Sequence, residues 1–230
     1  MSAVLDVQVW ADLVCPWCYI ADRRLAAAIA AFDGEVAVRH RAYELDPGMP
    51  PGERVPVADY LGHKYGGGLE AGLAMTERVA AVAAADGLTL DFSRAVKSNT
   101  FDAHRLLALA ATLDPALTTT LRESLYAAHF RQGLALDDHA VLKDLASSAG
   151  LGDKQIAALL DSDDFADEVR GDEAHARALG VTGVPFTVAD NRLAVSGAQP
   201  AEVYAALLTQ AASTSGASEP DPEPDPETDK

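Results

Sequence analysis

Apolar and polar residues alternate over positions 36–43, and this two-residue period predicts a β-strand. Residues 4–10 are also β-prone and end shortly before the polar Asp12, which predicts a second strand. Between the two strands, apolar side chains recur at helical spacing over residues 20–32 and predict a helix. The beginning of the chain is therefore expected to form a β–α–β unit.

A helical pattern dominates the middle of the chain. It follows a loop rich in proline and glycine at residues 45–56. Breaks such as Asp114-Pro115 and Ala149-Gly150 divide the long apolar-periodic stretch into separate helices. The predicted helices are 57–65, 69–86, 99–113, 115–131, 138–149 and 153–161.

Strand character returns after a further predicted helix at about 164–179. Residues 181–190 and 192–196 predict two strands, and the Asp-Asn pair between them is typical of a hairpin turn. A last helix is predicted over residues 200–212. The end of the domain is therefore expected to read α–β–β–α.

This order of elements predicts an α/β fold in which a helical block interrupts one domain. We expect the first part of that domain at residues 1–45, a helical insertion at 46–162 and the second part at 163–212. In residues 213–230, proline alternates with acidic side chains that cannot bury apolar surface, which predicts a disordered acidic tail.

Composition and charge narrow the range of partners. With 49% hydrophobic and 23% charged residues, the chain can bury a sizeable core. The net charge is −17, of which the segment from Glu219 to Lys230 contributes −5, and such an acidic protein repels nucleic acid. No stretch approaches the roughly 20 apolar residues of a membrane span. The first residues also lack the features of a signal peptide, so we expect no membrane contact and a cytoplasmic location.

The chain has two cysteines, and they stand three positions apart at Cys15 and Cys18. The spacing is compatible with a structural crosslink, half of a metal site, two buried unreactive thiols or a redox pair. A cytoplasmic location disfavours the crosslink, because thiols are kept reduced there. The six histidines contain no pair at the usual ligand spacing, so we expect no metal. A redox role is favoured, with no metal or nucleotide cofactor.

The position of Cys15 at the predicted strand-to-helix junction favours the ionised form of its thiol. A thiolate at the start of a helix faces unpaired backbone N–H groups and the positive end of the helix dipole. In CxxC motifs this placement lowers the pKa of the first thiol and so favours thiol–disulfide exchange. Pro16 is well tolerated in a first helical turn. Cys18 would lie one turn further in, where it can attack a mixed disulfide formed at Cys15.

Four segments resemble the DsbA-like branch of the thioredoxin superfamily, particularly its FrnE-type proteins. They are Asp12-Leu-Val-Cys-Pro-Trp-Cys-Tyr, Asn99-Thr-Phe-Asp-Ala-His-Arg-Leu, Gly180-Val-Thr-Gly-Val-Pro-Phe and Ser196-Gly-Ala-Gln-Pro. The similarity runs over about residues 4–210 with the segments in the right order. It implies a thioredoxin-like fold with a large helical insertion. The sequence has Trp17 where many DsbA proteins carry a histidine, so a strongly oxidising potential does not follow.

The resemblance also implies roles for individual residues. Pro185 should be cis and face the cysteines, which leaves the backbone of Val184 to pair with an extended substrate. Pro16 and Trp17 should contact substrate, although Trp17 is equally interpreted as a lid packed on the core. Asn99 and His104 are further candidates. Asn99 can equally be only a helix start, and His104 is more readily interpreted as a structural histidine than as part of the cleft.

Three functions remain open. The favoured one is a thiol–disulfide oxidoreductase that acts on a disulfide-containing protein or a low-molecular-weight thiol, as a monomer or homodimer. The second is a glutathione-dependent isomerase or transferase, like the 2-hydroxychromene-2-carboxylate isomerases and kappa-class glutathione transferases of the same architecture. Those enzymes need no resolving thiol, so Cys18 argues against it. The third is a non-enzymatic chaperone or adaptor that uses the helical block.

Overall fold

A computed structural model describes residues 4–215 of the chain, and the predicted acidic tail from residue 216 onward lies outside that range. The strands in this range are β1 (Leu5–Ala11), β2 (Val36–Ala42), β3 (Phe186–Ala189) and β4 (Leu193–Ser196). The helices are α1 (Pro16–Ala30), α2 (Val57–Tyr65), α3 (Gly68–Ala85), α4 (Phe101–Leu113), α5 (Pro115–Gln132), α6 (His139–Ala149), α7 (Asp153–Leu160), α8 (Ala166–Ala178) and α9 (Ala201–Ser215).

The four strands form one mixed sheet in the order β2-β1-β3-β4. β1 pairs with β2 in parallel and with β3 antiparallel, and β3 and β4 form an antiparallel hairpin. β1 is central, and its residues from Val7 to Trp10 are buried in succession, as expected for a strand covered on both faces. Its C-terminal end carries the chain into the cysteine motif.

Helices cover both faces of the sheet. Val7 and Val9 point into the main core, where α1 and α9 pack together. Trp10 points to the other face, where its indole N–H donates to the carbonyl of Asp172 on α8 at 3.0 Å. The ring of His175, also on α8, meets Trp10 edge-on with centroids 5.1 Å apart. These contacts fix α8 and α1 on opposite sides of the strand that leads to the cysteines.

Helices α2–α7 occupy the stretch between β2 and α8, and α4 lies at their centre. It packs against α5, α7 and α8, and seven of its residues are buried. On α1, the ring of Tyr19 stacks on Tyr126 of α5 with centroids 4.6 Å apart, which joins these two helices. The predicted fold class, α/β and thioredoxin-like with a large helical insertion, is confirmed.

Some predicted boundaries are wrong. Periodicity gave a helix start at residue 20, but α1 begins at Pro16, where the cysteine motif at the strand-to-helix junction had indicated the first turn. β3 begins at Phe186, since residues 181–185 form a loop that contains a cis peptide bond. α9 continues to Ser215, beyond the predicted end at residue 212. The division into parts at residues 45, 162 and 212 stays a prediction.

Candidate active site

Cys15 stands at the junction between β1 and α1. It is the residue that caps the N-terminus of α1, with extended backbone angles, and Pro16 follows at the first helical position. Its N–H donates to the Asp12 carbonyl at 3.2 Å, and its own carbonyl accepts the N–H of Cys18 at 3.1 Å. The sulfur therefore lies at the end of the helix where backbone N–H groups have no intrahelical partner.

The two thiols differ in their surroundings. Both are free, and Cys15 is 4% exposed whereas Cys18 is 1% exposed. Burial raises the pKa of Cys18 well above its ordinary value, and the neighbouring Cys15 thiol and the charge of Asp12 raise it further. Cys18 is therefore a protonated thiol at neutral pH.

The loop between α8 and β3 faces Cys15. The Cys15 sulfur lies 3.7 Å from the carbonyl oxygen of Val184, and the Val184–Pro185 peptide bond is cis. The Pro185 carbonyl accepts the N–H of Gly197 at 2.8 Å, which anchors the loop to the turn after β4. The same loop lines a cavity of about 300 Å³. The structure thus brings Val184 to Cys15, with Pro185 directly after it.

The other predicted site residues fall into two groups. Pro16 is half-buried and Trp17 is 39% exposed in the first turn of α1, so Trp17 is available at the surface beside the cysteines. Asn99 donates to the Met49 carbonyl at 2.9 Å and accepts the N–H of Phe101 at 2.9 Å. Both ends of its side chain thus hold the loop before α2 to the start of α4.

His104 reaches the cysteine motif through a residue that sequence reasoning missed. Its Nε2 lies 3.5 Å from Oδ1 of Asp12, and both side chains are buried. Glu44, Glu173 and His129 are also buried titratable groups of this region that sequence reasoning missed. Asp12 was within reach of prediction, because it stands three residues before Cys15 where a polar side chain ends a buried strand. The others carry no local signal.

Burial of His129 makes the fold sensitive to acid. Desolvation lowers the pKa of His129 from 6.5 to about 4, so the unfolded chain binds this proton at higher pH than the folded one. The resulting stability is complete above pH 6.5 and is lost as the pH falls to about 4. Lowering the pH from 7.5 to 4 should therefore change the difference in free energy of unfolding between His129→Leu and the wild type by about 3 kcal/mol in favour of the variant. Urea denaturation at the two pH values measures this difference.

The exposed His63 of α2, whose Nδ1 lies 2.9 Å from the Asp59 carbonyl oxygen, provides the control histidine. His63→Gln should show the same loss of stability with acid as the wild type. A difference between wild type and His129→Leu that stays constant from pH 7.5 to pH 4 would contradict the prediction.

No cluster of three or more His, Cys, Asp or Glu side chains in residues 4–215 is arranged to hold a metal ion. None of the helices in the described part of the chain is long and apolar enough to cross a membrane.

A cavity of about 750 Å³, lined by residues of β1, α1, β2, α4, α5 and α8, lies beside the sheet edge and reaches His104.

Comparison with known proteins assigns the family. The model of the DSBA-like thioredoxin domain matches residues 6–209. The chain belongs to this family. Among solved structures, the probable DsbA oxidoreductase SCO1869 from Streptomyces coelicolor is 39% identical, with a TM-score of 0.87 over 94% of this chain and 93% of that one. No curated protein matches significantly.

More distant structures share the fold of this DsbA-like chain. The cytosolic disulfide reductase DsbM from Pseudomonas aeruginosa, solved with GSH, is 20% identical with a TM-score of 0.64, covering 89% of this chain and 98% of that one. A 2-hydroxychromene-2-carboxylate isomerase is 14% identical with a TM-score of 0.63, covering 91% and 97%. At these identities the likeness concerns the fold alone.

Proposed function

We propose that this DsbA-like protein is a dithiol–disulfide oxidoreductase in which Cys15 is the nucleophile and Cys18 the resolving thiol. One observation carries the proposal. Cys15 lies at the N-terminus of α1 with its sulfur against the Val184 carbonyl, while Cys18 lies one turn behind it, buried and protonated. The helix end favours negative charge on the sulfur that must attack.

The reaction proceeds in two steps. The Cys15 thiolate attacks one sulfur of a substrate disulfide, forms a mixed disulfide and releases the other substrate sulfur as a thiolate, which takes up a proton. Cys18 then loses its proton and attacks the Cys15 sulfur, which releases the second substrate thiol and leaves a Cys15–Cys18 disulfide. Two electrons pass from the cysteine pair to the substrate, and the same steps in reverse oxidise a substrate dithiol.

Substrate recognition follows from the surroundings of Cys15. The backbone of Val184, turned by the cis peptide bond to Pro185, is proposed to pair with an extended substrate segment beside the sulfur. Trp17, exposed at the same end of α1, and Pro16 are proposed to contact that segment. Asn99 is better assigned a structural role, because its side chain is occupied by two backbone hydrogen bonds.

The substrate class proposed is a disulfide-containing protein or a low-molecular-weight thiol. DsbM, which shares only the fold, was solved with GSH, so this fold can accommodate a low-molecular-weight thiol. A cytoplasmic location is part of the same proposal. The FrnE-type assignment and a monomeric or homodimeric state belong to the same proposal. The alternative is a glutathione-dependent isomerase, which is favoured by the fold shared with the 2-hydroxychromene-2-carboxylate isomerase. The buried thiol of Cys18, however, has no part in such a reaction.

Trapping of the mixed disulfide tests the proposal. Cys18→Ser treated with oxidised glutathione should keep one glutathione on Cys15, because no thiol remains to resolve it. The wild type should instead release both glutathiones and form the Cys15–Cys18 disulfide. Mass spectrometry of the intact protein distinguishes the two products.

Several outcomes would contradict the oxidoreductase. A Cys18→Ser protein without an adduct, or a wild type that never oxidises both cysteines, rules it out. Undiminished isomerase turnover in Cys18→Ser favours the glutathione-dependent alternative. Protection of unfolding client proteins by a variant with both cysteines changed to serine favours the chaperone or adaptor.

A further inference from the structure

The cavity of about 750 Å³ beside β2 takes no part in the mechanism described so far. In the described part of the chain it is lined by neither Cys15 nor Cys18, and Val184 and Pro185 do not line it either. Its volume falls within the roughly 300–1,000 Å³ that is typical of small-molecule sites. Exposed residues such as Ala111 also line it, so the cavity opens to the surface. It is therefore a ligand site in its own right, separate from the cysteines.

Aliphatic side chains form most of the wall of this cavity. They come from α1, β2 and α4 and include Leu25, Ile29, Val38, Leu107 and Ala108. Binding of an apolar molecule here removes apolar surface of both partners from water, which is favourable. The wall thus fits a ligand whose body is apolar.

The charged side chains of the cavity balance one another. Three arginines and three carboxylates line it: Arg39, Arg41, Arg122, Asp22, Glu168 and Asp172. Arg122 donates from Nε to Asp22 at 2.8 Å, and Arg41 donates from Nη1 to Asp172 at 3.0 Å. The whole chain is also acidic, with a net charge of −17, and repels anions. An uncharged ligand is therefore favoured over a carboxylate or a phosphate.

Two of these arginines each keep a hydrogen-bond donor to spare. Nε of Arg122 donates to Asp22, and its Nη1 donates to Nδ1 of His40 at 2.7 Å. The same two nitrogens of Arg41 are also occupied. Nη2 of both arginines has no hydrogen-bond partner within residues 4–215. Because the other nitrogens are held, the spare donors are positioned before any ligand binds.

The open edge of β2 adds a backbone donor. β1 bonds to the odd-numbered residues along β2, in register with the bond from the Leu5 N–H to the Glu35 carbonyl. The N–H and C=O groups of the even-numbered residues therefore point away from β1, toward the side on which the sheet has no further strand. There the N–H of Ala42 donates to Asp172 at 2.9 Å, but the N–H of His40 has no partner in the described range.

We propose that this cavity binds an uncharged small molecule that has an apolar body and a carbonyl group. The carbonyl oxygen accepts hydrogen bonds from two of three donors, which are Nη2 of Arg122, Nη2 of Arg41 and the backbone N–H of His40. A carbonyl oxygen has two lone pairs, so two donors can bind it together. The apolar body lies against the aliphatic wall. This site goes beyond the proposed function and does not depend on it, since no cysteine takes part.

Equilibrium dialysis with 2-acetylnaphthalene tests the inference, because this ketone is uncharged and joins a carbonyl group to an apolar body. The wild type should bind it saturably, with one molecule per chain. Ala108 is half-buried on α4 and lines the cavity. Ala108→Phe should weaken binding at least about tenfold, because its ring occupies the space of the apolar body. Ala84→Phe is the matched control, since Ala84 is exposed on α3 away from the cavity, and it should bind the ketone like the wild type.

Two further measurements test the chemistry of the ligand. Arg41→Lys keeps the positive charge but loses the planar guanidinium. Its affinity for the ketone should fall about three- to tenfold, which corresponds to one hydrogen bond. 2-Naphthoate carries a carboxylate in place of the acetyl group. It should bind the wild type at least about tenfold more weakly than the ketone, because Asp22 and Asp172 repel its charge.

The active site is excluded as the place of binding by competition. Oxidised glutathione, which reacts at the cysteines, should not displace the ketone. Displacement, absence of saturable binding to the wild type, or equal affinity in Ala108→Phe and the wild type overturns the inference. Binding of 2-naphthoate as tight as that of the ketone also overturns it. If Ala108→Phe fails to fold, Arg41→Lys decides, and an unchanged affinity in that variant overturns the inference. None of these results depends on the redox activity of Cys15, so the two proposals fail independently.

Discussion

Replacement of Cys15 by serine should reduce the rate of thiol–disulfide exchange by at least about 1,000-fold. The serine hydroxyl is not ionised at neutral pH and cannot replace a thiolate as the attacking group. Cys18 cannot take over, because it is 1% exposed and burial raises its pKa well above the ordinary value. The rate of reduction of oxidised glutathione, followed under single-turnover conditions, measures the loss.

The matched variant for this experiment is Cys18→Ser, which lacks the other thiol. It should form the mixed disulfide with oxidised glutathione at nearly the wild-type rate and then stop. Equal rates of mixed-disulfide formation in Cys15→Ser and Cys18→Ser would contradict the assignment of Cys15 as nucleophile. A faster Cys15→Ser would reverse the two roles.

Replacement of Arg105 by methionine should lower the free energy of unfolding by about 3–5 kcal/mol. The guanidinium is buried and donates to the carbonyls of Leu159, Ser162 and Asp164, and it also pairs with Asp102. Methionine fills a similar volume but leaves these acceptors inside the protein without donors. Urea denaturation at pH 7.5 measures the change.

A second arginine in a helix separates this effect from the loss of any long basic side chain. Arg78 lies on the surface of α3, where its Nε donates to the Ala74 carbonyl at 3.2 Å. Arg78→Met should change the free energy of unfolding by no more than about 0.5 kcal/mol. Arg105→Lys should remain strongly destabilised, because an ammonium cannot reach three carbonyls from one position. Near-equal losses in Arg105→Met and Arg78→Met would contradict the argument.

The sequence was sufficient to predict features that depend on residues close to one another in the chain. Two cysteines separated by two residues, placed after a β-prone segment, predicted the junction where Cys15 caps α1. Periodicity alone placed the helix start at Ile20, because Pro16 and Trp17 occupy its first turn, whereas the cysteine motif itself indicated the earlier start. The strand predicted over 181–190 was too long for a similar reason. Its first half is apolar but forms the loop that carries Val184 to Cys15.

The sequence was insufficient to predict contacts between residues that are far apart in the chain. The segment from Asn99 to Leu106 was recognised as a motif, yet its pattern does not tell which side chain faces what. Asn99 ties a loop, His104 meets Asp12 and Arg105 holds the connection between α7 and α8. Periodicity places these positions on a helix, but their partners come from three other parts of the chain. Only the assembled structure separates the structural side chains from the one next to the cysteine motif.

The stacking of Tyr19 on Tyr126 has a consequence for protein engineering. Tyr19 follows Cys18 directly, and its hydroxyl donates to Glu123, also on α5. A shortened chain that joins β2 directly to α8 would leave this ring in water and would also remove His104. Transplanting the motif to a smaller redox scaffold therefore means carrying α4 and α5 along with it.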